Sequence, residues 1–406
     1  MKRSSNTTRT KAFAALAVML MLLVGVPAAL DVSDESDAAG NDTFSYTLSL
    51  GTYSSSGGIN GNKTYPVNVT DNINGGTTTK ISSGSAGSWS WNTSTGVGPF
   101  NSFYALFSAS TGEMLGVLNP TDLSKYVNGS SAPITSNNVM WILPKLYFVG
   151  TSNGGSGTMK ITNSWSQTGA SSESAADSAY AVAHTINGTT YQAIGISVYE
   201  LGYANNKATA YSGIDPESTY TSRQTWRTYT NATTILDAAG TSSPTMQWNW
   251  YQWNAYRLLT HAVTGDLNTQ NFGAGYVSYN SSYGYSLTTG QSNSASTGYY
   301  GTPFNSSTTS TKQDAVRVFL ENAWGSQNDF VDGFYNNYGS MYIQSTTPYA
   351  DSSTGTSYSS ISGVGPSPYV GWGLSQISSN SIDYLYADGK NTCSLSVVGG
   401  CGNGAD

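Results

Sequence analysis

Residues 243–276 read SPTMQWNWYQWNAYRLLTHAVTGDLNTQNFGAGY and carry the one long helical pattern after the N-terminus. Ser243 suits an N-cap, Pro244 the first helical position, where its missing N–H costs nothing, and Gly265 a stop. The spacing therefore predicts a helix over about 244–263. Trp248, Tyr251, Ala255, Leu258, Leu259 and Ala262 share one face, the stripe of a helix packed on a core. Met246, Trp250 and Trp253 fall opposite, and two tryptophans on that face call for a cover, either long loops of this chain or a partner. Apart from one short helical stretch, the other segments read as short strands and loops. The class that follows is α+β and β-rich, with irregular loops around one main helix.

The composition fits that class. At 406 residues the chain is long enough for one large or two ordinary domains. Hydrophobic residues make up 38% and charged residues only 10%, while 45 glycines and 29 tyrosines stand among Ser, Thr and Asn. Low charge with abundant aromatics describes a folded, turn-rich β protein rather than a disordered one. The net charge is −7, and Lys2, Arg3, Arg9 and Lys11 are balanced by Asp31, Asp34, Glu35 and Asp37. No basic groove for nucleic acid remains.

Residues 1–39 read as a signal peptide or membrane anchor, with a basic start and an apolar run from Ala12 to Leu30. Cleavage in the Pro27–Ala29 region or at Ala38–Ala39 is the favoured reading; uncleaved, residues 12–30 are the only contact with a membrane. Export gives meaning to the sequons at Asn41, Asn62, Asn68, Asn92, Asn128, Asn187, Asn231, Asn280 and Asn305, as potential surface glycosylation sites. It also favours a disulfide between Cys393 and Cys401 over a redox-active pair.

Residues 40–98 form a Ser/Thr/Gly/Asn-rich β region in which FSYTLSL (44–50) and YPVNVT (65–70) alternate as half-buried strands do; residues 99–406 form the main domain. TDLSKYV (121–127) is predicted to be a short capped helix. VMWILPKLYFVG (139–150) is a strand that bends at Pro144 or lies at an edge, because proline cannot donate to a ladder. TMKITNSW (158–165) completes a hairpin. AYAVAHTING (180–188) and TYQAIGISVYEL (190–201) form an apolar pair joined at Asn187-Gly188. VRVFLENAWGSQNDFVDGFY (316–335) returns to apolar alternation, and MYI, YVGWG, IDYLYA and SLSVVGG read as late strands.

Catalytic signals are weak. His184 and His261 lie in different elements and suit structural roles. Gly150-Thr151-Ser152-Asn153-Gly154 matches the nucleophile-elbow spacing but is followed by a strand pattern instead of a helix. No catalytic residue is assigned and no cofactor is implied, although Asp329 and Asp332 with Glu321 and Asn322 could offer oxygen ligands to calcium. The aromatics set among Ser, Asn and Gly late in the chain are a better signal of ligand binding.

The order of motifs supplies a family likeness. WILPKLYFVG, IGISVYEL, SGIDP (212–216), the WNWYQWNAYRLL helix, GAGY, ENAWGSQNDFVDGFY and VVGGCGNGAD together resemble the C-type-lectin-like fold over about residues 100–406. The branch is the one shared by formylglycine-generating sulfatase modifiers and the variable or receptor-binding proteins of microbes and their phages. In that fold a helix packs between the sheet and long loops, which would cover Trp250 and Trp253. The oxidase members place a cysteine pair just after the Gly-Gly motif, whereas Cys393 precedes Gly399-Gly400 and only Cys401 follows. The family pattern also continues into a closing strand beyond this point, so its absence would expose a C-terminal edge for self-association.

The expectation is an exported, non-catalytic, adhesin-like surface protein whose loops bind a glycan or protein ligand. The candidate contact residues are Trp324, Asp329, Asp332, Tyr335, Tyr369, Trp372, Tyr384 and Tyr386. A structural cell-envelope glycoprotein and a sulfatase-modifier-like oxidase are the competing readings.

Overall fold

The computed structural model describes residues 43–49, 78–83, 90–153, 156–204, 206–216, 223–237, 240–264, 272–273, 288–301, 315–324, 331–337 and 340–343, with two-residue strand pieces at 359–360, 375–376 and 384–385. β1 (Thr43–Ser49) and β2 (Thr78–Ser83) form an antiparallel pair. β3 (Phe103–Phe107), β4 (Met114–Asn119) and β5 (Asp122–Tyr126) follow as a meander, and β6 (Asn138–Pro144) returns beside β3. β7 (Tyr147–Asn153) and β8 (Ser156–Thr162) make a hairpin, helix α1 spans Glu173–Tyr180, and β9 (Thr185–Ile186) pairs with β10 (Thr189–Thr190). β11 (Ala193–Ser197) then joins β6, completing a five-stranded antiparallel sheet in the order β11-β6-β3-β4-β5. A second sheet runs β2-β1-β8-β7, in which residues 43–49 pair with 156–162. The fold is β-rich α+β, in the class the composition indicates.

The central strands are apolar throughout because both faces of the sheet are covered. Period-two alternation sends Tyr104 and Leu106 of β3, and Val139, Trp141 and Leu143 of β6, into the main core. Phe103, Ala105, Phe107 and Ile142 turn to a smaller cluster on the other face. The run through Pro144 is divided between the two sheets: β6 sits inside the five-stranded sheet, and β7 leaves for the other one after a corner at Lys145–Leu146. Bending, not an edge position, is how the proline is accommodated. Asn187 and Gly188 both have positive φ, 53° and 79°, in the tight turn between β9 and β10 that Asn-Gly favours.

β12 (Gly202–Ala204) and β13 (Lys207–Thr209) precede helix α2 (Arg223–Ala232), and β14 (Ile235–Leu236) pairs with β15 (Ser242–Ser243) before helix α3 (Trp250–Thr264). The main helix thus starts six residues later than Pro244 indicates. Ser243 is held in the β14–β15 pair, and Trp248 and Asn249 stay extended against Asp332, whose N–H donates to the Trp248 carbonyl. The true cap is Asn249. Its Oδ1 accepts from the N–H groups of Tyr251 and Gln252 at 3.0 and 3.1 Å, its own N–H donates to Gln252 Oε1, and its carbonyl accepts from Trp253. The Trp250 N–H goes to the Asp332 carbonyl at 2.8 Å, so the four N–H groups of the first turn are all satisfied. Trp250, Trp253, Tyr256, Asn254 and Arg257 are all buried, so the helix is enclosed on every side. Trp248 and Met246 are half-buried in the extended approach to it.

Three other expectations are corrected. TDLSKYV is strand β5, because Asp122 accepts from Ser124 two residues on, an Asx turn rather than a helix cap, and the Leu123 N–H is drawn to the Asn293 carbonyl. AYAVAH is the end of α1 followed by a short 3₁₀ turn at Val182–His184. Residues 315–324 form a closed loop instead of a strand: the Asn322 N–H donates to the Val316 carbonyl at 2.7 Å, the Val316 N–H returns to Asn322 Oδ1 at 3.0 Å, and Asn322 has φ 55°. β16 (Phe334–Asn337) and β17 (Ser340–Ile343) then pair as a hairpin. YPVNVT, YVGWG and SLSVVGG lie outside the described residues, and IDYLYA is described only at 384–385.

Candidate functional site

The closed loop carries the densest polar network. Glu321 is buried, and its carboxylate accepts from the Gly290 N–H at 2.6 Å, the Ser292 N–H at 2.7 Å and the Ser292 hydroxyl. Burial holds its carboxyl above the usual range, while the Ser292 and Gly290 donors and the Arg317 charge pull the other way. Arg317, fully buried, donates from Nε to the Ser292 carbonyl and from Nη2 to the Pro120 carbonyl, and lies 5.3 Å from the Tyr104 ring centroid. Tyr199 donates to Asn293, whose amide donates to Ser212 at 2.8 Å. Both Glu321 oxygens are occupied, so the network clamps 288–293 onto the loop.

Asp332 makes a second buried contact. Arg227 meets its carboxylate through Nε at 3.0 and 2.9 Å and through Nη2 at 2.6 Å. Asp332 is 2% exposed, and its backbone also secures the start of α3. The pair ties α2 to the approach to α3. Substituting Asp332→Asn keeps the shape but removes the charge, and is expected to lower stability by about 1.5–3 kcal/mol. Urea unfolding of both proteins checks this; a loss within error would mean that the pair contributes nothing.

A third cluster sits at the corner between β6 and β7. Lys145 Nζ is 2.8 Å from Glu173 and 2.9 Å from Asp177, both on α1, and Tyr147 donates to Asp177 at 2.9 Å. Burial first, then the Asp177 contact, push the Tyr147 phenol up. His184 is fully buried; its Nε2 accepts the Leu146 N–H at 3.2 Å, which places the ring proton on Nδ1, where no acceptor meets it. Burial, with the Lys145 charge second, pushes its pKa down to about 3. Lys145, Tyr147 and the His184 Nε2 are thus all engaged by partners within the corner.

The candidate contact residues fall apart in the structure. Trp324 is 4% exposed and donates from Nε1 to the Gly273 carbonyl at 2.9 Å, so it is a core residue with no face for a ligand. Asp332 is occupied by Arg227. Of the proposed calcium ligands, Glu321 and Asn322 are likewise committed to backbone N–H groups, and no group of three or more His, Cys, Asp or Glu side chains that could hold a metal occurs among the described residues. Tyr335 and Tyr384 are placed only as members of β16 and of the strand piece at 384–385. Asp329, Tyr369, Trp372, Tyr386, Cys393, Cys401 and the C-terminal edge lie outside the described residues. Ser152 lies within β7 and pairs with Gly157 on the next strand, so it is not on a nucleophile elbow.

A different aromatic surface emerges. Tyr203, on β12, is 48% exposed and stacks on Tyr229 of α2 with centroids 5.1 Å apart and planes 5° from parallel. Thr233, at the end of α2, donates to the Ala208 carbonyl of β13 at 2.9 Å and fixes the helix to the hairpin. The two rings therefore form a supported aromatic platform. Sequence reasoning passed over it because Tyr203 and Tyr229 are distant in sequence. The buried clusters did leave a signal: in a chain with 10% charged residues, Lys145 within WILPKLYF and Arg317 within AVRVFL are lone cations in apolar runs, which burial permits only with partners. No helix among the described residues is long and apolar enough to cross a membrane. No family profile, curated protein or solved structure matches the chain.

Proposed function

We propose that the chain is an exported, non-catalytic surface protein with a C-type-lectin-like domain that binds a neutral glycan. The observation that carries this reading is the Tyr203–Tyr229 stack, in which a half-exposed tyrosine ring lies flat on a second ring. A tyrosine half exposed on a hairpin contributes little to folding, whereas a flat, pre-ordered ring suits the apolar face of a sugar and is ordered at low entropic cost. The scarcity of charge favours a neutral ligand. The perturbed titratable groups are bound to internal partners, which supports a binding role over a catalytic one. The antiparallel sheet with a helix on one face and long connections supports the lectin-like reading.

The test is a glycan array probed with the full chain and with Tyr203→Ala and Tyr203→Trp. Alanine is expected to weaken retention by about tenfold, roughly 1.4 kcal/mol, with stability changed by less than about 0.5 kcal/mol, and tryptophan to preserve binding. Equal retention of the alanine variant removes this site from the proposal. Retention of no glycan beside capture of a protein ligand replaces the ligand class.

A further inference from the structure

We propose that Asn92 and Asn128 are N-glycan acceptors in the folded chain, and that the fold silences the sequon at Asn231. All three asparagines are exposed, so exposure does not distinguish them. Hydrogen bonding does. Asn128 Oδ1 accepts from the Ser130 N–H at 2.9 Å and from the Ser130 hydroxyl at 2.6 Å. A backbone N–H can only donate, so the amide oxygen must face Ser130 and the amide nitrogen faces outward beside the sequon's exposed hydroxyl. Asn92 Oδ1 is likewise turned to backbone donors, accepting from the N–H groups of Ser94 at 3.0 Å and Thr95 at 3.2 Å. Both sequon hydroxyls lie on exposed serines, Ser94 and Ser130. The Asn231 sequon has the opposite character: Asn231 lies in the last turn of α2, and the Thr233 hydroxyl is turned inward onto the carbonyls of Ala208 and Tyr229. A transferase that reads asparagine and hydroxyl together meets both at 92–94 and 128–130, but not at 231–233.

The two acceptor turns are neighbours. A Cβ on Gly96 would stand 2.6 Å from Val117 and 2.9 Å from Val127, so the turn after Asn92 packs directly on the residue before Asn128. Two glycans would therefore cover one end of the domain. The donor is a glycan joined to a lipid pyrophosphate. The amide nitrogen forms a bond to the sugar C1, the C1–O bond to the pyrophosphate breaks, the lipid pyrophosphate leaves with the electron pair, and a base of the transferase takes the amide proton.

The experiment presents unglycosylated full-length chain, folded or digested with trypsin, to a single-subunit oligosaccharyltransferase with its lipid-linked donor, and maps sites by glycopeptide mass spectrometry. Folded chain is expected to be modified at Asn92 and Asn128 and bare at Asn231, whereas the digest is modified at Asn231 as well. Ser130→Ala is expected to abolish modification at Asn128, retain it at Asn92 and leave the circular dichroism spectrum unchanged. A bare Asn92 or Asn128 in the folded chain, modification of Asn231 there at the rate of Asn128, or a bare Asn231 in the digest overturns the inference. The assay involves no binding measurement, so failure of the proposed glycan recognition leaves its result standing.

Discussion

Replacing Phe319 with alanine is expected to lower the unfolding free energy by about 3–5 kcal/mol, among the largest losses a single core truncation produces. Phe319 has no exposed surface. Its ring stacks on Trp141 of β6 with centroids 4.4 Å apart, and edge contacts at 6.3–6.5 Å reach Trp91, Tyr256 and Tyr299. Its carbonyl accepts from the Tyr104 hydroxyl at 3.0 Å. The ring therefore joins the sheet, the main helix and the closed loop at one point, and its neighbours are anchored on separate elements that cannot all collapse into a void. Aromatic pairs add about 0.5–1.5 kcal/mol beyond buried area, so Phe319→Leu should cost less than alanine but more than a volume-conserving aliphatic exchange usually does. Urea unfolding followed by near-ultraviolet circular dichroism and tryptophan fluorescence reads both. A loss below about 1 kcal/mol for alanine would show that the loop does not dock on the core as described.

The same loop shows where sequence reading stops. Strands β1, β6 and β11 announce themselves through alternation or unbroken apolar runs, and the β9–β10 turn through Asn187-Gly188, because those signals are local. The loop at 315–324 has an equally apolar sequence, but its shape is set by Asn322 closing on Val316 and by contacts with Tyr300 and Ser292, none of which follows from periodicity. The start of α3 is set by Asn249 and Gln252, which stand at capping-box spacing, and not by the serine and proline at 243–244. What displaced Ser243 was its strand pairing with Ile235.

Of the candidate contact residues, Trp324 and Asp332 belong to the interior. A tryptophan next to an apolar run is as readily core as contact, and only burial separates the two readings. Tyr203 and Tyr229 meet through the packing of α2 on β13, a contact between elements with no sequence pattern of its own.

Acidification should destabilise the fold through His184, and this loss is expected to rival the Phe319 truncation. The imidazole's pKa is pushed down to about 3 in the folded chain, while an unfolded histidine titrates near 6.5. Between those values the unfolded state binds a proton that the folded state refuses, so stability is present in full above about pH 6.5 and falls with falling pH at up to about 1.4 kcal/mol per unit. By about pH 3 the accumulated loss is on the order of 4–5 kcal/mol. The cause is geometric: protonating Nε2 would force it to give up the Leu146 N–H and set a charge beside Lys145 at a fully buried position. Glu321 acts with the opposite sign, since its raised pKa gives the folded state the extra proton from its ordinary range upward, and acid relieves that cost. The comparison that isolates His184 is therefore with His184→Gln, whose side-chain oxygen can take the Leu146 N–H without titrating. Unfolding free energies measured from pH 7.5 down to pH 4 should converge towards the variant's as His184 loses its advantage, with Glu321 cancelling in the difference. Parallel curves for the two proteins would show that the imidazole titrates normally and that the corner between β6 and β7 admits water.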